Sequence, residues 1–269
     1  MKKFWKIAYV SLWIVLIAGA CVLVGFTSVE QYYRPCRRIY ITLDYGQADK
    51  LVMKEDIDSV VRRSTGRISG KPIGWINIRQ IENSIKMQAY VEKVHIYESL
   101  DGYIFIDVKQ REPILRIINC KYETFYVDGS GRLLPPNPFY PARVLVANGN
   151  ISHSYIANRN FRIETPMTGD TLGPADTLLL DLYKLALYIN RDRFLKAEID
   201  QIFVTPSSEF ELVPKVGNHI IMLGRADDLD GKFKKLLAFY KQGLNIIGWN
   251  KYNYINIKYK NQVVCSKLQ

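Results

Sequence analysis

The side chains that could carry out covalent chemistry are few and widely spaced in this sequence of 269 residues. His95, His153 and His219 lie far apart, and no cysteine or carboxylate accompanies them at the spacing of metal ligands. Gly129-Ser130-Gly131 lacks the G-x-S-x-G pattern of a nucleophile elbow, so it predicts a hairpin turn. The glycines form no phosphate-binding loop motif. These patterns predict no catalytic residue, no metal or cofactor site and no small-molecule substrate.

The C-terminal segment Tyr252–Val264 offers a different kind of functional surface. Its apolar residues alternate with polar and aromatic ones, which predicts one long strand with a single apolar face. At the edge of a sheet, such a strand offers unpaired N–H and C=O groups to an added strand. Tyrosines suit a binding surface because they are large, rigid and polar at the tip. The alternative is an internal strand whose tyrosines only cover the sheet.

The composition predicts a folded protein that does not bind nucleic acid. Hydrophobic residues make up 48% and charged residues 23% of the chain, which is typical of globular proteins. The formal net charge is +11, but the basic residues are scattered among acids and form no block of like charge. Such a distribution is typical of a solvated surface, whereas nucleic-acid binding needs basic residues clustered on one element.

The N-terminus predicts a membrane anchor. A tail with Lys2, Lys3 and Lys6 precedes the uncharged and mostly apolar run Ile7–Val29, which has 23 residues. A helix needs about 20 such residues to cross a bilayer. We therefore predict a cytoplasmic tail at residues 1–6 and a transmembrane helix at 7–29. Arg34, Arg37 and Arg38 oppose this orientation, but long domains are exported largely regardless of charge.

Two alternatives to an uncleaved anchor are open. Ala18-Gly19-Ala20 resembles a signal-peptide cleavage site, and Ala20-Cys21 resembles a lipoprotein acceptor. However, the apolar run continues past both sites to Phe26, where a signal peptide should already have become polar. This favours the uncleaved anchor.

A small α+β unit follows the polar linker at residues 30–38. The periodicities predict the order strand, helix, helix, strand, strand, at Ile39–Leu43, Lys54–Arg63, a helix capped by Asn77, Val91–Glu98 and Tyr103–Val108. The pair Asp101-Gly102 predicts a hairpin between the last two strands. Because neither layer can bury its apolar face alone, both helices should cover one face of the sheet.

The rest of the chain is rich in predicted strands. Pro113 is expected to end the last strand of the first unit, because proline cannot donate a ladder hydrogen bond. The strands beyond it are predicted at Tyr122–Val127, Arg132–Leu134, Arg143–Ala147, Ile199–Val204, Glu209–Val213, His219–Leu223 and Tyr252–Val264. Helices are predicted at Ala175–Asn190 and Asp230–Gln242, whereas residues 148–173 are polar and irregular.

Read together, these segments give the chain a family resemblance. It resembles the FtsQ (DivIB) family of bacterial cell-division proteins, in the style of a Bacteroidota member. The resemblance covers almost the whole length, and its sharpest motifs are Ala89–Val94, Ile104–Pro113, Tyr126–Gly131, Gly217–Gly224 and Ile255–Val264. Each motif is weak alone, but their order behind one apolar N-terminal run is a strong signal.

The resemblance implies an α+β fold with an N-terminal transmembrane helix and two exported domains. These are a POTRA domain of order β-α-α-β-β at 39–110 and a mixed β-rich domain with two helices at 111–265, followed by a tail at 266–269. It also implies a non-enzymatic, single-pass scaffold of the bacterial divisome for septum assembly. The chain would lie in the cell inner membrane at the division septum, with its N-terminus cytoplasmic and its bulk periplasmic.

The partners that the resemblance implies are the small membrane proteins FtsB (or DivIC) and FtsL. By position, the partner-binding residues are Tyr252, Tyr254, Ile255, Ile257, Lys258, Tyr259, Lys260 and Asn261. POTRA domains commonly bind peptides by strand addition, so Val91–Glu98 is a second candidate edge, unless it only pairs with Tyr103–Val108.

The sequence also allows two other functions and one disulfide. A POTRA-containing component of envelope protein translocation or biogenesis is the main alternative, but such proteins carry further domains for which little sequence is left. An anchored envelope enzyme would need a polar catalytic cluster. Cys120 and Cys265 fall at the two ends of the second domain, where a bridge is compatible with an oxidising periplasm.

Overall fold

The N-terminal segment is described only in part. The computed structural model describes residues 9, 12–22, 32–137, 141–156, 162–163, 174–244, 246 and 248–267. Residues 12–22 are helical, but the predicted tail 1–6 and much of the predicted transmembrane segment 7–29 lie outside the described residues. Within the described part of the chain, no helix combines the length and apolar character needed to cross a bilayer.

The chain folds into two compact units. Unit 1 comprises Met1–Asp44 and Val52–Gln110, and unit 2 comprises Tyr45–Leu51 and Arg111–Gln269. The segment Tyr45–Leu51 was expected within the first domain, but its polar contacts attach it to unit 2. The Asp49 carboxylate accepts the Arg143 N–H at 2.8 Å, and the Leu51 carbonyl accepts a hydrogen bond from the Asn137 amide at 3.0 Å.

Unit 1 is a three-stranded sheet with two helices on one face. Its elements are β1 (Arg38–Asp44), α1 (Lys54–Thr65), a 3₁₀ turn (Ile73–Trp75), α2 (Ile78–Lys86), β2 (Val91–Glu98) and β3 (Tyr103–Gln110). The spatial order is β1-β3-β2, with β1 parallel and β2 antiparallel to β3. Ile104 and Ile106 of β3 are fully buried with Ile57 and Ile81 of the helices. The predicted β-α-α-β-β order is therefore confirmed.

Local chemistry explains two boundaries of unit 1. The Asn77 side chain accepts the Gln80 N–H at 3.0 Å, which caps α2 as predicted. Gly102 has a φ of 87°, and a Cβ there would lie 2.8 Å from the Pro35 carbonyl oxygen. Glycine is thus required in the β2–β3 turn both for its backbone conformation and for space.

Unit 2 is built on a nine-stranded mixed sheet. The strands are β4 (Pro113–Ile118), β5 (Thr124–Asp128), β6 (Leu133–Leu134), β7 (Leu145–Gly149), β8 (Ile199–Val204), β9 (Phe210–Pro214), β10 (Ile220–Gly224), β11 (Tyr252–Asn256) and β12 (Val264–Lys267). Their spatial order is β12-β11-β10-β9-β8-β7-β4-β5-β6. The pairs β4–β7, β7–β8 and β10–β11 are parallel, and the other pairs are antiparallel.

Three described α-helices belong to unit 2, instead of the two that the sequence predicts. They are α3 (Pro174–Arg191), α4 (Arg193–Glu198) and α5 (Leu229–Phe239), which continues as a π-helical turn (Tyr240–Leu244). The short helix α4 was missed, although Asp192 caps it by accepting the N–H groups of Phe194 and Leu195. Leu182 and Leu185 of α3 are fully buried in one core with sheet residues such as Ile117.

Strand β4 was also missed in the sequence. Pro113 was expected only to end the preceding strand, but it is the first residue of β4, a position where its missing N–H is tolerated. The turn after β5 is as predicted, because the Asp128 carboxylate accepts the N–H groups of Ser130 and Arg132 at 2.8 and 2.9 Å. Arg111 Nη1 pairs with the same carboxylate at 2.9 Å.

Candidate partner-binding edge

The C-terminal segment forms a hairpin, not one long strand. Tyr254 of β11 lies opposite Ile220 of β10 and opposite Ser266 of β12. Strand β11 is therefore internal, and β12 is the last strand of the sheet. The prediction of a continuous edge strand over Tyr252–Val264 is wrong, and the alternative of an internal strand describes β11.

A polar loop separates the two strands, and its own contacts fix it. Asn261 adopts a φ of 61°, a left-handed conformation that asparagine tolerates better than most residues. The Lys258 N–H donates to the Asn256 side chain at 3.0 Å. Lys235 of α5 donates to the carbonyls of Ile257, at 3.0 Å, and Tyr259. We refer to residues 257–263 as the C-terminal loop.

Half of the eight predicted site residues are wholly or partly buried. Ile255 and Ile257 are 0% exposed and belong to the core of unit 2, so their side chains position the segment and offer no contact surface. Tyr252 packs on Phe239, with 6.0 Å between ring centroids. Lys258 is half-buried and forms an ion pair with Glu209.

The other four predicted residues are exposed and lie close together in the sequence. Tyr254 is 43% exposed and alternates with the buried Ile255, which places it on the sheet face opposite the core. Tyr259 is 51% exposed, and Lys260 and Asn261 beside it are exposed as well. The structure thus reduces the predicted surface to one tyrosine on β11 and the tip of the C-terminal loop.

Two features beside this surface were missed in the sequence. The first is strand β12, because the apolar alternation of the segment continues across the loop and hides the turn. The second is a groove of about 420 Å³ between the C-terminal loop and the helix, lined by Lys235, Ala238, Phe239, Gln242, Gly243, Asn261, Gln262 and Val263. The sequence signal for the groove is the spacing of Phe239 and Gly243, because a glycine one helical turn after a large ring leaves an open space on the helix surface.

The second predicted edge, in unit 1, lies at the border of its sheet. Strand β2 pairs only with β3 among the described strands of that sheet. Its Tyr97 is exposed and stacks on Phe105 of β3, which in turn stacks on Tyr40 of β1, at centroid distances of 5.1 and 5.4 Å. Stacked rings thus cross all three strands on the face opposite the helices.

The three histidines occupy unrelated places. His95 is exposed on β2, whereas His153 and His219 are buried in unit 2. His153 Nδ1 lies 3.4 Å from the Asp176 carboxylate, and His219 Nε2 lies 2.9 Å from the Tyr240 hydroxyl. Burial lowers the pKa of both buried rings, although Asp176 partly offsets the effect at His153. Among the described residues, no group of His, Cys, Asp or Glu side chains is arranged to hold a metal ion.

The cysteines are free thiols in the structure. This includes Cys120 and Cys265, which form no bridge with each other. Cys120 is exposed beside the β4–β5 turn, while Cys265 is partly buried in β12, and burial raises the pKa of its thiol. The sheet order explains their separation, because β4 and β12 are six strands apart.

Comparison with known families gives two matches. The family described as FtsQ/DivIB, C-terminal related, matches residues 112–266, and the POTRA-like domain matches residues 34–109. The POTRA-like match lies mostly on unit 1, and the C-terminal match lies on unit 2. A search of curated proteins finds no match to the chain. Because the first match covers more than half of the 269 residues, the chain belongs to the FtsQ/DivIB family of bacterial cell-division proteins, as its resemblance predicted.

Proposed function

We propose that this protein is a non-enzymatic scaffold of the bacterial divisome that binds FtsB- or DivIC-like and FtsL-like membrane proteins. The proposed mode of binding is strand addition to β12, with the exposed tip of the C-terminal loop selecting the partner. The family match supports a role in cell division in general, and the partners are the finer step of the proposal. In this proposal the N-terminal segment is a single-pass anchor in the inner membrane and both units are periplasmic.

The observation that carries this proposal is the position of β12 at the end of the nine-stranded sheet. One side of β12 pairs with β11, and no described strand pairs with its other side. An edge strand presents backbone N–H and C=O groups that an extended peptide can satisfy. The adjacent loop adds exposed side chains that distinguish one partner from another, which backbone pairing alone cannot do.

Tyr259 is the residue on which partner selection should depend most. Exposed tyrosines at the centre of an interface commonly contribute a large share of the binding free energy. At 51% exposure, Tyr259 can be changed without opening a cavity in the core. Replacing it with a charged residue should therefore remove binding and leave unit 2 folded.

The test is a pull-down from crosslinked membranes with Tyr259→Glu and a matched control. Tyr122→Glu makes the same chemical change on the same unit, at the exposed turn between β4 and β5. We expect Tyr259→Glu to lose the division partners and Tyr122→Glu to retain them. Recovery of the partners by Tyr259→Glu at the wild-type level would contradict the proposed surface. Photo-crosslinking from Ser266, on β12, would identify which partner lies against the edge.

A further inference from the structure

The segment that precedes β1 is fixed to unit 1 by backbone hydrogen bonds. The Ile73 N–H donates to the Arg34 carbonyl at 2.9 Å, and the Cys36 N–H donates to the Lys71 carbonyl at 2.8 Å. A Cβ added at Gly74 would lie 2.2 Å from the Tyr32 ring, so this ring occupies the space that the glycine leaves open. Residues 32–37 are therefore part of the folded unit, packed against residues 70–75.

Basic side chains from three elements surround this attachment point. A cavity of about 660 Å³ has Arg37 and Arg38 of the β1 region, Arg62 of α1 and Arg67 of the following turn in its walls. Asp58 is the acidic residue in that lining, and it is bonded to Arg62 Nε at 2.7 Å. In the described part of the chain, no carboxylate pairs with Arg37, Arg38 or Arg67.

A further cation lies on the same turn. Lys71 is exposed, and its Nζ donates to the Thr65 carbonyl at the end of α1 at 3.1 Å. The carbonyl end of a helix favours cations, so α1 helps to hold positive charge at this place. The turn Arg67–Lys71 is itself fixed to the incoming segment, since the Gly70 N–H donates to the Cys36 carbonyl at 2.8 Å.

Exposed aromatic rings border the basic residues. Trp75, at the end of the 3₁₀ turn, is 67% exposed, and Tyr32 and Tyr33 are exposed next to each other with their rings in an edge-to-face contact. Trp75 and Lys71 line one shallow depression on this surface. Trp and Tyr beside Lys and Arg are the side chains that favour the interface between lipid and water, where the rings lie at the headgroup level.

The position along the chain brings this surface close to the predicted anchor. The predicted transmembrane segment ends at Val29, three residues before Tyr32. At about 3.5 Å per residue, Tyr32 lies within about 10 Å of the end of the span. The headgroup layer on one side of a bilayer is about 5–8 Å thick. An anchor that ends at Val29 would therefore hold these basic and aromatic residues beside the headgroups.

We infer that these residues form a lipid-binding surface that docks unit 1 onto anionic phospholipid headgroups. The juxtamembrane patch comprises Tyr32, Tyr33, Arg34, Arg37, Arg38, Arg67, Lys71 and Trp75. Its five cations attract anionic headgroups, and its three aromatic rings enter the interface. The inference rests on the membrane anchor in the proposed function. Docking would fix the orientation of unit 1 relative to the membrane.

The test uses the full-length chain reconstituted in lipid vesicles with Trp75 as its only tryptophan. The variant carries Trp5→Phe, Trp13→Phe and Trp249→Phe, which removes the other three tryptophans of the sequence. Vesicles of phosphatidylcholine alone are compared with vesicles that also contain phosphatidylglycerol. We expect phosphatidylglycerol to shift Trp75 emission to shorter wavelength and to increase its quenching by headgroup spin-labelled lipid. High salt should reverse both changes, because it screens exposed charges.

Charge-reversal variants show whether the basic residues are responsible. In the Trp75-only chain, Arg37→Glu with Arg67→Glu should abolish the response to phosphatidylglycerol. Lys54→Glu with Lys93→Glu makes the same charge change at exposed positions outside the patch and should leave the response unchanged. Equal Trp75 signals in the two lipids, or a response that survives the Arg37 and Arg67 changes, would overturn the inference.

A failure of the anchor can be told apart from a failure of the patch. A chain that retains only Trp13, within the predicted span, should be quenched by lipids that are spin-labelled on the acyl chain. If Trp13 is not quenched, the proposed membrane anchor is wrong and the inference falls with it. If Trp13 is quenched and Trp75 does not respond to phosphatidylglycerol, the anchor stands and the patch alone is refuted.

Discussion

The buried pair His219–Tyr240 predicts that unit 2 loses stability in mild acid. His219 is 2% exposed, and its Nε2 lies 2.9 Å from the Tyr240 hydroxyl. A Cβ at Gly217 would lie 2.6 Å from the other ring nitrogen, so the ring is tightly enclosed. Burial lowers the pKa of His219 from its ordinary value of 6.5, and the Trp249 backbone offsets part of this effect.

The direction of the pH effect follows from which state binds the proton. Below pH 6.5 the unfolded chain protonates this histidine, whereas the folded protein keeps the ring neutral until its lowered pKa is reached. Stability is therefore lost as the pH falls below about 6.5. One pH unit below that value, a ring that stays neutral in the folded state lowers the free energy of unfolding by about 1.4 kcal/mol.

Denaturant unfolding at about pH 7.5 and about pH 5.5 measures this loss. In His219→Gln, the introduced glutamine does not titrate in this range but can still form a hydrogen bond with Tyr240. The variant's loss of stability between the two pH values should be smaller than that of the wild type by up to about 1.4 kcal/mol. His95→Gln, which changes the exposed histidine on β2, should behave like the wild type. An unchanged pH dependence in His219→Gln would refute the reasoning.

Two further predictions concern buried groups of unit 2. Ile257→Ala should lower the free energy of unfolding by about 2–5 kcal/mol because its side chain is 0% exposed, whereas Tyr259→Ala should change it by about 0.5 kcal/mol or less. Equal losses in a denaturant titration would contradict the described loop. Arg111→Ala should lower the free energy of unfolding by about 3 kcal/mol, because it leaves the buried Asp128 carboxylate without its cation. Lys184→Ala breaks an exposed pair with Asp181 and should lower it by less than about 1 kcal/mol. A similar cost for both would show that Asp128 does not need Arg111.

The fold of unit 1 could be predicted from the sequence because its determinants are local. Three local signals each fix one element within a few residues. They are the alternation of the buried Ile104 and Ile106 with partly buried residues, the cap at Asn77 and the Asp101-Gly102 turn. The antiparallel hairpin β2–β3 then brings neighbouring elements together. Only the parallel pairing of β1 with β3 needed long-range information, and two helices between them leave it few alternatives.

Most elements of unit 2 could be predicted from the sequence, but their order in the sheet could not. The periodicity of the sequence predicts most of the strands. It does not predict β4, because a proline such as Pro113 can either end one strand or be the first residue of the next. The strand order depends on parallel pairs such as β4–β7, whose partners are separated by two further strands. Hydrophobic patterning places a residue on a face of the sheet and carries no information about which strand lies beside it.

The C-terminal hairpin shows why this limit matters for the proposed binding site. Ile255 and Ile257 face the core and Val263 packs against it, so the apolar pattern is the same for one long strand as for two strands and a loop. The strand pairing distinguishes them, because β11 pairs with β10 on one side and with β12 on the other. Because of the hairpin, the strand with unpaired backbone groups is β12 and not β11, and Tyr259 lies in the loop between the two strands. Backbone pairing along β12 would accept many extended sequences, so stable capture of the right partner should depend on the loop. Tyr259→Glu should therefore abolish capture of the division partners even while β12 remains intact.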